Sequence, residues 1–370
     1  MKKTLFAISL AISSCLVSLE ARAASFTALN IFGDSLVDSG NLFNLTSALS
    51  PLGLPALPPS PPYAQKSSNG PIWIDNVGQA LGLSPILATD LALNPTAPVP
   101  TQGINFAFTG ALSSDIHILD DDVPPLASFL PGFQDQIAAF SGLSSIVPAD
   151  PNALYVVWVG GNDYNEAFFN PASLQVPTLD QLPDFVTDNI LGGLNQLASL
   201  GAKEFLVLNL PDIGEAPVAD FLDAQTPVNI PATLNQLIAG HNSLLATKLD
   251  AFSQTQPGVN VTTLDINTLF DDLLTTPSAF GLTNVTDSCL INYEPGFQFD
   301  GVCDNPDEFL FWDDVHPTAA ASRVISDVAL ATLAPPAGQP ASVPEPGSFM
   351  ALFAMGVMGS GSLFLNKKRI

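Results

Sequence analysis

Basic residues are scarce in this 370-residue chain: ten lysines and arginines stand against 35 aspartates and glutamates, for a formal net charge of −25 at pH 7. Six of the ten lie near the ends, at Lys2, Lys3, Arg22, Lys367, Lys368 and Arg369. Between Ala24 and Pro344 only Lys66, Lys203, Lys248 and Arg323 oppose 33 acidic residues. Such a body repels phosphate backbones and anionic membrane surfaces, which excludes a nucleic-acid binder. It also repels itself, so added salt is expected to stabilise it. Histidine and cysteine are equally rare, at three each, and no internal repeat is present. What the chain does have is apolar bulk, with 47% hydrophobic residues against 12% charged and a mean hydropathy of +0.32, which excludes a disordered polymer.

The long apolar runs are confined to the two ends. Met1–Ala23 starts with Lys2-Lys3, continues through an apolar stretch from Leu5 to Leu19 and closes on Ala21-Arg22-Ala23, the order of a secretory signal peptide cleaved after about residue 23. Ile12-Ser13-Ser14-Cys15 loosely fits a lipoprotein cleavage box, which leaves lipidation of Cys15 as an alternative. At the other end, a linker over 335–342 leads into Val343-Pro344-Glu345-Pro346, an apolar run from Phe349 to Leu365, and Lys367-Lys368-Arg369. Seventeen residues at about 1.5 Å each span about 25 Å, just enough to cross a bilayer with the cations held on the cytoplasmic side. The tail over 343–370 resembles the PEP-CTERM sorting signal of Gram-negative bacteria, which implies processing by an exosortase; an ordinary single-span anchor is the alternative. Either way the body lies outside the cytoplasm. Removing the signal leaves Cys289 and Cys303, fourteen residues apart and without a neighbouring histidine for a zinc site, so one disulfide is expected in an oxidising compartment. The sequons at Asn44, Asn260 and Asn284 would matter only in a eukaryotic secretory pathway.

The remaining body, 24–334, is long enough to bury one large core. Phe26–Phe32, Ile104–Phe108, Leu154–Val159, Phe205–Asn209 and Val259–Leu264 read as strands, several of them apolar on both faces as buried parallel strands are. Helical periodicity runs over Trp73–Leu81, Leu130–Phe140, Leu182–Leu200 with Gly201 as its stop, Ala232–Phe252, Asn267–Leu274 and Thr318–Leu333. The alternation predicts an α/β fold, a three-layer sandwich on a mostly parallel five-stranded sheet. Ser50–Pro62, rich in proline, and Leu112–Pro131, rich in acid, read as long surface loops.

Four short motifs carry chemistry. The first strand runs into Gly33-Asp34-Ser35-Leu36, where a serine at the C-terminal end of a parallel strand faces the crevice in which ligands bind and has a free backbone N–H for an oxyanion. Taken alone this is also ordinary turn and N-cap chemistry. Near the other end, Asp313-Asp314-Val315-His316-Pro317 places a histidine at the mouth of a helix, with Pro317 suited to its first position. A carboxylate three residues back can hold Nδ1–H and leave Nε2 to take a proton from a serine; spacing alone does not separate Asp313 from Asp314. Gly110 after the second strand and Gly161-Asn162-Asp163 after the third offer oxyanion donors, or simple strand-end turns. His117, in the acidic loop, and His241, in a helical pattern, read as structural.

In order, these four blocks resemble the motif blocks of the SGNH family of GDSL esterases and lipases, over about Phe26 to Leu333. Pro61-Pro62-Tyr63 to Ser68-Asn69-Gly70-Pro71-Ile72-Trp73 is similar to the corresponding segment of plant-type and bacterial extracellular members. The resemblance implies a flavodoxin-like hydrolase in which Ser35 is the nucleophile, His316 the general base and Asp313 its partner. Ser35 N–H, Gly110 N–H and the Asn162 side chain would form the oxyanion hole. One departure is Thr109, where many relatives have glycine. The expectation is a metal-free and cofactor-free serine hydrolase of carboxylic esters, lipid or lysophospholipid acyl esters above all. Its activity should rise with pH through a base pKa near about 6.5–7.5. The alternatives are acyl transfer to a lipid alcohol and a surface-anchored structural protein without turnover.

Overall fold

A computed structural model describes residues 26–334 except 95, 120–128, 173, 175, 177 and 226. The expected signal peptide over 1–23 with Cys15, the linker over 335–342 and the tail over 343–370 with its span 349–365 lie outside the described residues. Among the described residues no helix is long and apolar enough to cross a membrane. In chain order the first half comprises β1 (Leu29–Gly33), α1 (Asn41–Leu49), α2 (Trp73–Leu81), β2 (Ile86–Leu87), α3 (Ala88–Leu93), β3 (Ile104–Asn105), α4 (Phe133–Leu143), β4 (Leu154–Trp158), α5 (Gly161–Phe169) and α6 (Leu182–Leu200). The second comprises β5 (Glu204–Leu208), α7 (Pro217–Asp223), α8 (Ile230–Thr255), β6 (Asn260–Leu264), α9 (Ile266–Thr275), β7 (Asn284–Ser288), β8 (Leu290–Ile291), β9 (Gly301–Val302), β10 (Phe309–Phe311) and α10 (Ala319–Leu333).

The central sheet is parallel throughout, in the order β2-β3-β1-β4-β5-β6. Position in that order explains the strand sequences. β1 and β4, in the middle, are buried at every residue, whereas β6 at the edge carries Asn260, Thr262 and Thr263 and is largely open to solvent. The helices flank the sheet, α2 packing against α10, and α6 against both α4 and α8. In α6 the apolar residues Val186, Ile190, Leu194 and Leu197 fall on one buried stripe, each contributing about 1.5–3 kcal/mol by leaving water. Gly201, at φ +119°, ends it by donating its N–H to Ala198 and Leu197, as expected from the sequence.

The α/β class stands, with one strand more than the five expected. The sixth, Ile86–Leu87, is two residues long and too short to carry a hydrophobic period. α2 and α6 match their expected spans, while α4 starts later than Leu130 because Pro131 and Gly132 hold the chain extended before it. Pro317 does not open α10: Thr318 is its N-cap, its Oγ1 accepting the Ala321 N–H, so the helix begins at Ala319. α3 and α7, at six and seven residues, have too few turns for periodicity to reveal them, while α1 and α5 bury polar residues, Asn41 and Thr46 in one and Asp163 and Asn165 in the other, which breaks the apolar stripe. The stretch Leu112–Pro131 is not a surface loop over its first part. Leu112, Ser113, Ser114 and His117 are buried, because their polar groups are taken up inside the protein.

Candidate active site

The strand end that carries Ser35 is built for close approach. Gly33, at φ +148°, passes so near the end of β4 that a Cβ there would lie 1.9 Å from the Trp158 carbonyl oxygen. The buried Gln136 of α4 clamps it, accepting the Gly33 N–H and donating to the Gly33 carbonyl, both at 2.8 Å. The chain then turns through Asp34–Val37, and Asp38 caps α1 by accepting the backbone N–H groups of Gly40, Asn41 and Leu42. A turn fixed at both ends leaves Ser35, 6% exposed, in one place.

His316 Nε2 lies 2.7 Å from Ser35 Oγ, and His316 Nδ1 lies 2.8 Å from both carboxylate oxygens of Asp313. An ionised carboxylate only accepts, so Nδ1 carries the proton and Nε2 presents its lone pair to the serine hydroxyl. Asp313, rather than Asp314, makes this contact. Its Oδ1 also accepts the N–H of Val315 at 3.0 Å and of His316 at 2.8 Å, folding the Asp-x-x-His segment into one turn. Its Oδ2 accepts a hydrogen bond from the Tyr63 hydroxyl at 2.7 Å.

Burial pulls the His316 pKa down, but the charge and hydrogen bond of Asp313, with Asp314 and Asp34 behind them, outweigh it, and the net direction is upward. Burial pushes Asp313 up, yet His316 and the N–H donors hold it below the usual carboxylate range. Burial raises Asp34 to about 7, and burial with the adjacent Asp313 charge raises Asp314 to about 7.

Asn162 is the second residue of α5, whose N-cap is Gly160, a glycine at φ +120°. Its Nδ2 donates to the Ala111 carbonyl at 2.9 Å, which leaves the second hydrogen of that amide for a ligand. The loop around Gly110, which is at φ +91°, is held on either side: Phe108 N–H donates to the Gly33 carbonyl, and the Ala111 carbonyl accepts from Asn162 Nδ2. Among the described residues neither the Ser35 nor the Gly110 N–H has a hydrogen-bond partner. Thr109 is held by Asp38 Oδ2, which accepts its N–H at 2.9 Å and its hydroxyl at 3.0 Å.

His117 stands behind this loop. Leu119 N–H donates to its Nδ1, so Nε2 carries the hydrogen and donates to the Thr109 carbonyl at 2.6 Å. That carbonyl belongs to the same peptide unit as the Gly110 N–H. Desolvation lowers His117 to about 4, so it is neutral in the working range. His241 packs beneath Gly160 and faces the Tyr164 hydroxyl at 3.0 Å. Asp163 accepts the N–H and the hydroxyl of Ser113 at 2.9 and 2.7 Å, and its burial raises it to about 6.

Ser35 and Asn162 open onto a narrow cavity of about 70 Å³ whose far walls are apolar, among them Leu210, Ile213, Leu269, Phe270 and Leu310. Cys289 and Cys303 form the expected disulfide, closing the β8–β9 hairpin. Among the described residues no group of three or more His, Cys, Asp or Glu side chains is placed to hold a metal ion.

Sequence reasoning missed the supporting residues Gln136, Asp38 and Ser113, and the role of Tyr63. Each acts across 50 or more residues of chain, apart from Asp38, whose cap is a short-range Asx pattern that the Asp-x-Gly-Asn spacing could have signalled.

The sequence model of the GDSL-like lipase/acylhydrolase family matches residues 29–329, and that of the PEP-CTERM protein-sorting motif matches residues 342–369. Three proteins of Arabidopsis thaliana named GDSL esterase/lipase align along nearly the whole body. One is 28% identical over 337 residues, covering 85% of this chain and 84% of its own. A second is 30% identical over 335 residues, covering 83% and 90%. The third is 28% identical over 354 residues, covering 84% and 86%.

Proposed function

The chain belongs to the GDSL-like lipase/acylhydrolase family, and on that premise we propose that it is an exported serine hydrolase that cleaves acyl esters through a covalent acyl-enzyme. The observation that carries the reading is the unbroken chain of hydrogen bonds Ser35–His316–Asp313 beside an apolar cavity. Ser35 Oγ attacks the ester carbonyl as His316 Nε2 takes its proton, and Asp313 holds the imidazole and stabilises the imidazolium that forms. The carbonyl oxygen becomes an oxyanion received by the N–H groups of Ser35 and Gly110 and by Asn162 Nδ2. His316 returns its proton to the leaving alcohol; water, activated by the same histidine, then releases the acid.

The cavity suggests what the acyl group is. Its apolar wall favours a hydrocarbon chain over a sugar. By the measure in which one water-sized group takes roughly 10–15 Å³, its volume of about 70 Å³ holds roughly five to seven such groups. We therefore assign the acyl end to chains of short to medium length on a lipid-like ester. The PEP-CTERM motif supports export of the body and C-terminal processing by an exosortase.

The test is hydrolysis of p-nitrophenyl esters from acetate to palmitate by the full chain, beside its Ser35→Ala form. The expected result is an optimum between butyrate and octanoate and a loss of about 10⁴-fold or more in kcat in Ser35→Ala. Turnover that survives Ser35→Ala would overturn the mechanism, and an optimum at acetate would overturn the assignment of the cavity.

A further inference from the structure

The segment between Ser60 and Trp73 lies against the turn that carries His316 and fastens it at three points. Ser68 Oγ donates to the Pro317 carbonyl at 2.9 Å, and Asn69 Oδ1 accepts the Ala319 N–H at 2.8 Å. The third point is the Tyr63 hydroxyl, which donates to Asp313 Oδ2 at 2.7 Å across 250 residues of chain. Asp313 is fully buried, and its Oδ1 is already occupied by two backbone N–H groups. Apart from the imidazole, Tyr63 is the side chain whose hydrogen bond Oδ2 accepts among the described residues.

The phenol is held with little freedom. Tyr63 is 3% exposed and sits edge-on to Trp312, with ring centroids 5.9 Å apart, and to Phe297 at 5.6 Å. Trp312 precedes Asp313 directly, and its backbone N–H donates to the His316 carbonyl at 2.7 Å. Phe297 lies within the stretch closed by the Cys289–Cys303 disulfide, and Cys289, Leu290, Tyr63 and Trp312 share one small buried cluster. The disulfide loop and the Pro-Pro-Tyr segment, which the mechanism leaves unused, therefore meet at one hydroxyl on the back of the acid.

We propose that Tyr63 is a positioning residue of the proton relay, its hydroxyl fixing the Asp313 carboxylate and setting how strongly that carboxylate raises the basicity of His316. This rests on the reading of Ser35, His316 and Asp313 as nucleophile, base and acid. A donor on Oδ2 withdraws part of the carboxylate charge without cancelling it, as a lysine there would. Removing the donor leaves a more basic carboxylate and moves the His316 pKa up. The other groups facing the pair stay in place: Asp314 and Asp34 toward His316, with Ser35 on Nε2, and Tyr293 and Asp314 toward Asp313.

The experiment is the pH profile of kcat/KM for p-nitrophenyl butyrate, pH 5 to 9, with the full chain as wild type, Ser35→Ala, Tyr63→Phe and a form carrying 3-fluorotyrosine at position 63. Phenylalanine keeps the ring and deletes the donor. The expected result is a rise of roughly half a unit or more in the apparent base pKa, with kcat at pH 7 down about ten-fold and KM within about two-fold. The fluorinated phenol is a stronger donor and should move the pKa the other way. A residue that only packs would leave the pKa where it was in both forms. A Tyr63→Phe profile superposing on wild type, with Ser35→Ala inactive, overturns this inference alone. Turnover surviving in Ser35→Ala removes the triad reading and this inference with it. If Tyr63→Phe does not fold, the direction of the fluorotyrosine shift decides.

Discussion

The wall beside Ser35 and the packed interior beneath Gly160 hold the same side chain in opposite electrostatic settings. His241 in the interior is fully buried, and desolvation with the charge of Lys248 lowers its pKa to about 3. His316 also suffers desolvation, yet Asp313, Asp314 and Asp34 turn the net direction upward. His117 resembles His241 in this respect, at about 4, although it stands close behind the Gly110 loop. Burial alone makes a histidine a neutral packing unit with one or two hydrogen bonds. Only a carboxylate on Nδ1 makes it a base that can accept a proton and be stabilised afterwards.

Exchanging the histidines should test that division most severely. His316→Ala is expected to lower kcat for a p-nitrophenyl ester by about 10⁴-fold with the circular dichroism spectrum unchanged, whereas His241→Phe should retain most turnover wherever it folds. Essential catalysis at His117 or His241, with His316 dispensable, would reverse the comparison. The second test concerns the oxyanion side. Asn162→Ala should lower kcat about 10²-fold with little change in KM. His117→Ala removes the donor holding the peptide that carries the Gly110 N–H and should cost less than that without abolishing turnover, as kcat and KM measured side by side will show.

The smallest effect is on stability. A histidine with an unfolded pKa of about 6.5 and a folded value of about 3 is protonated more readily when the chain unfolds. His241 therefore weakens the fold as pH falls below about 6.5, by about 2 kcal/mol at pH 5 relative to pH 8. The buried acids work in the opposite sense. Asp34 and Asp314 at about 7 and Asp163 at about 6 bind protons more readily folded than unfolded, so their contribution is lost as pH rises toward those values. Urea unfolding of His241→Gln at pH 5 and pH 8 should show the change in stability on acidification to be more favourable in the variant than in wild type by about 2 kcal/mol. An equal change in both would place the His241 pKa near its ordinary value.

Much of the candidate site was legible in the chain because its members sit at the ends of apolar runs. Ser35 follows the strand Leu29–Gly33, Asn162 follows Leu154–Trp158, and His316 precedes α10. What supports them was not legible. Gln136 clamps Gly33 from 103 residues away, and Ser113 engages Asp163 from 50. The choice between Asp313 and Asp314 also waited for the turn itself, because adjacent residues point to different sides and only one can meet Nδ1. The burial of Leu112, Ser113, Ser114 and His117 is hidden by their acidic neighbourhood in the sequence, since hydrogen bonds to Asp163 and to the Thr109 carbonyl let polar side chains lie inside.

By itself the sequence determined the order of the longer strands and helices and the short motifs at their junctions, because hydrophobic period, glycine and capping residues act within a few positions of themselves. It determined the α/β class for the same reason. Only the tertiary structure decided which buried side chain is charged, since that depends on what desolvates it and which carboxylate faces it. Only there do Tyr63 and Asp313 become neighbours, because their contact spans 250 residues of chain and exists only once the segment 60–73 packs against the turn that carries His316.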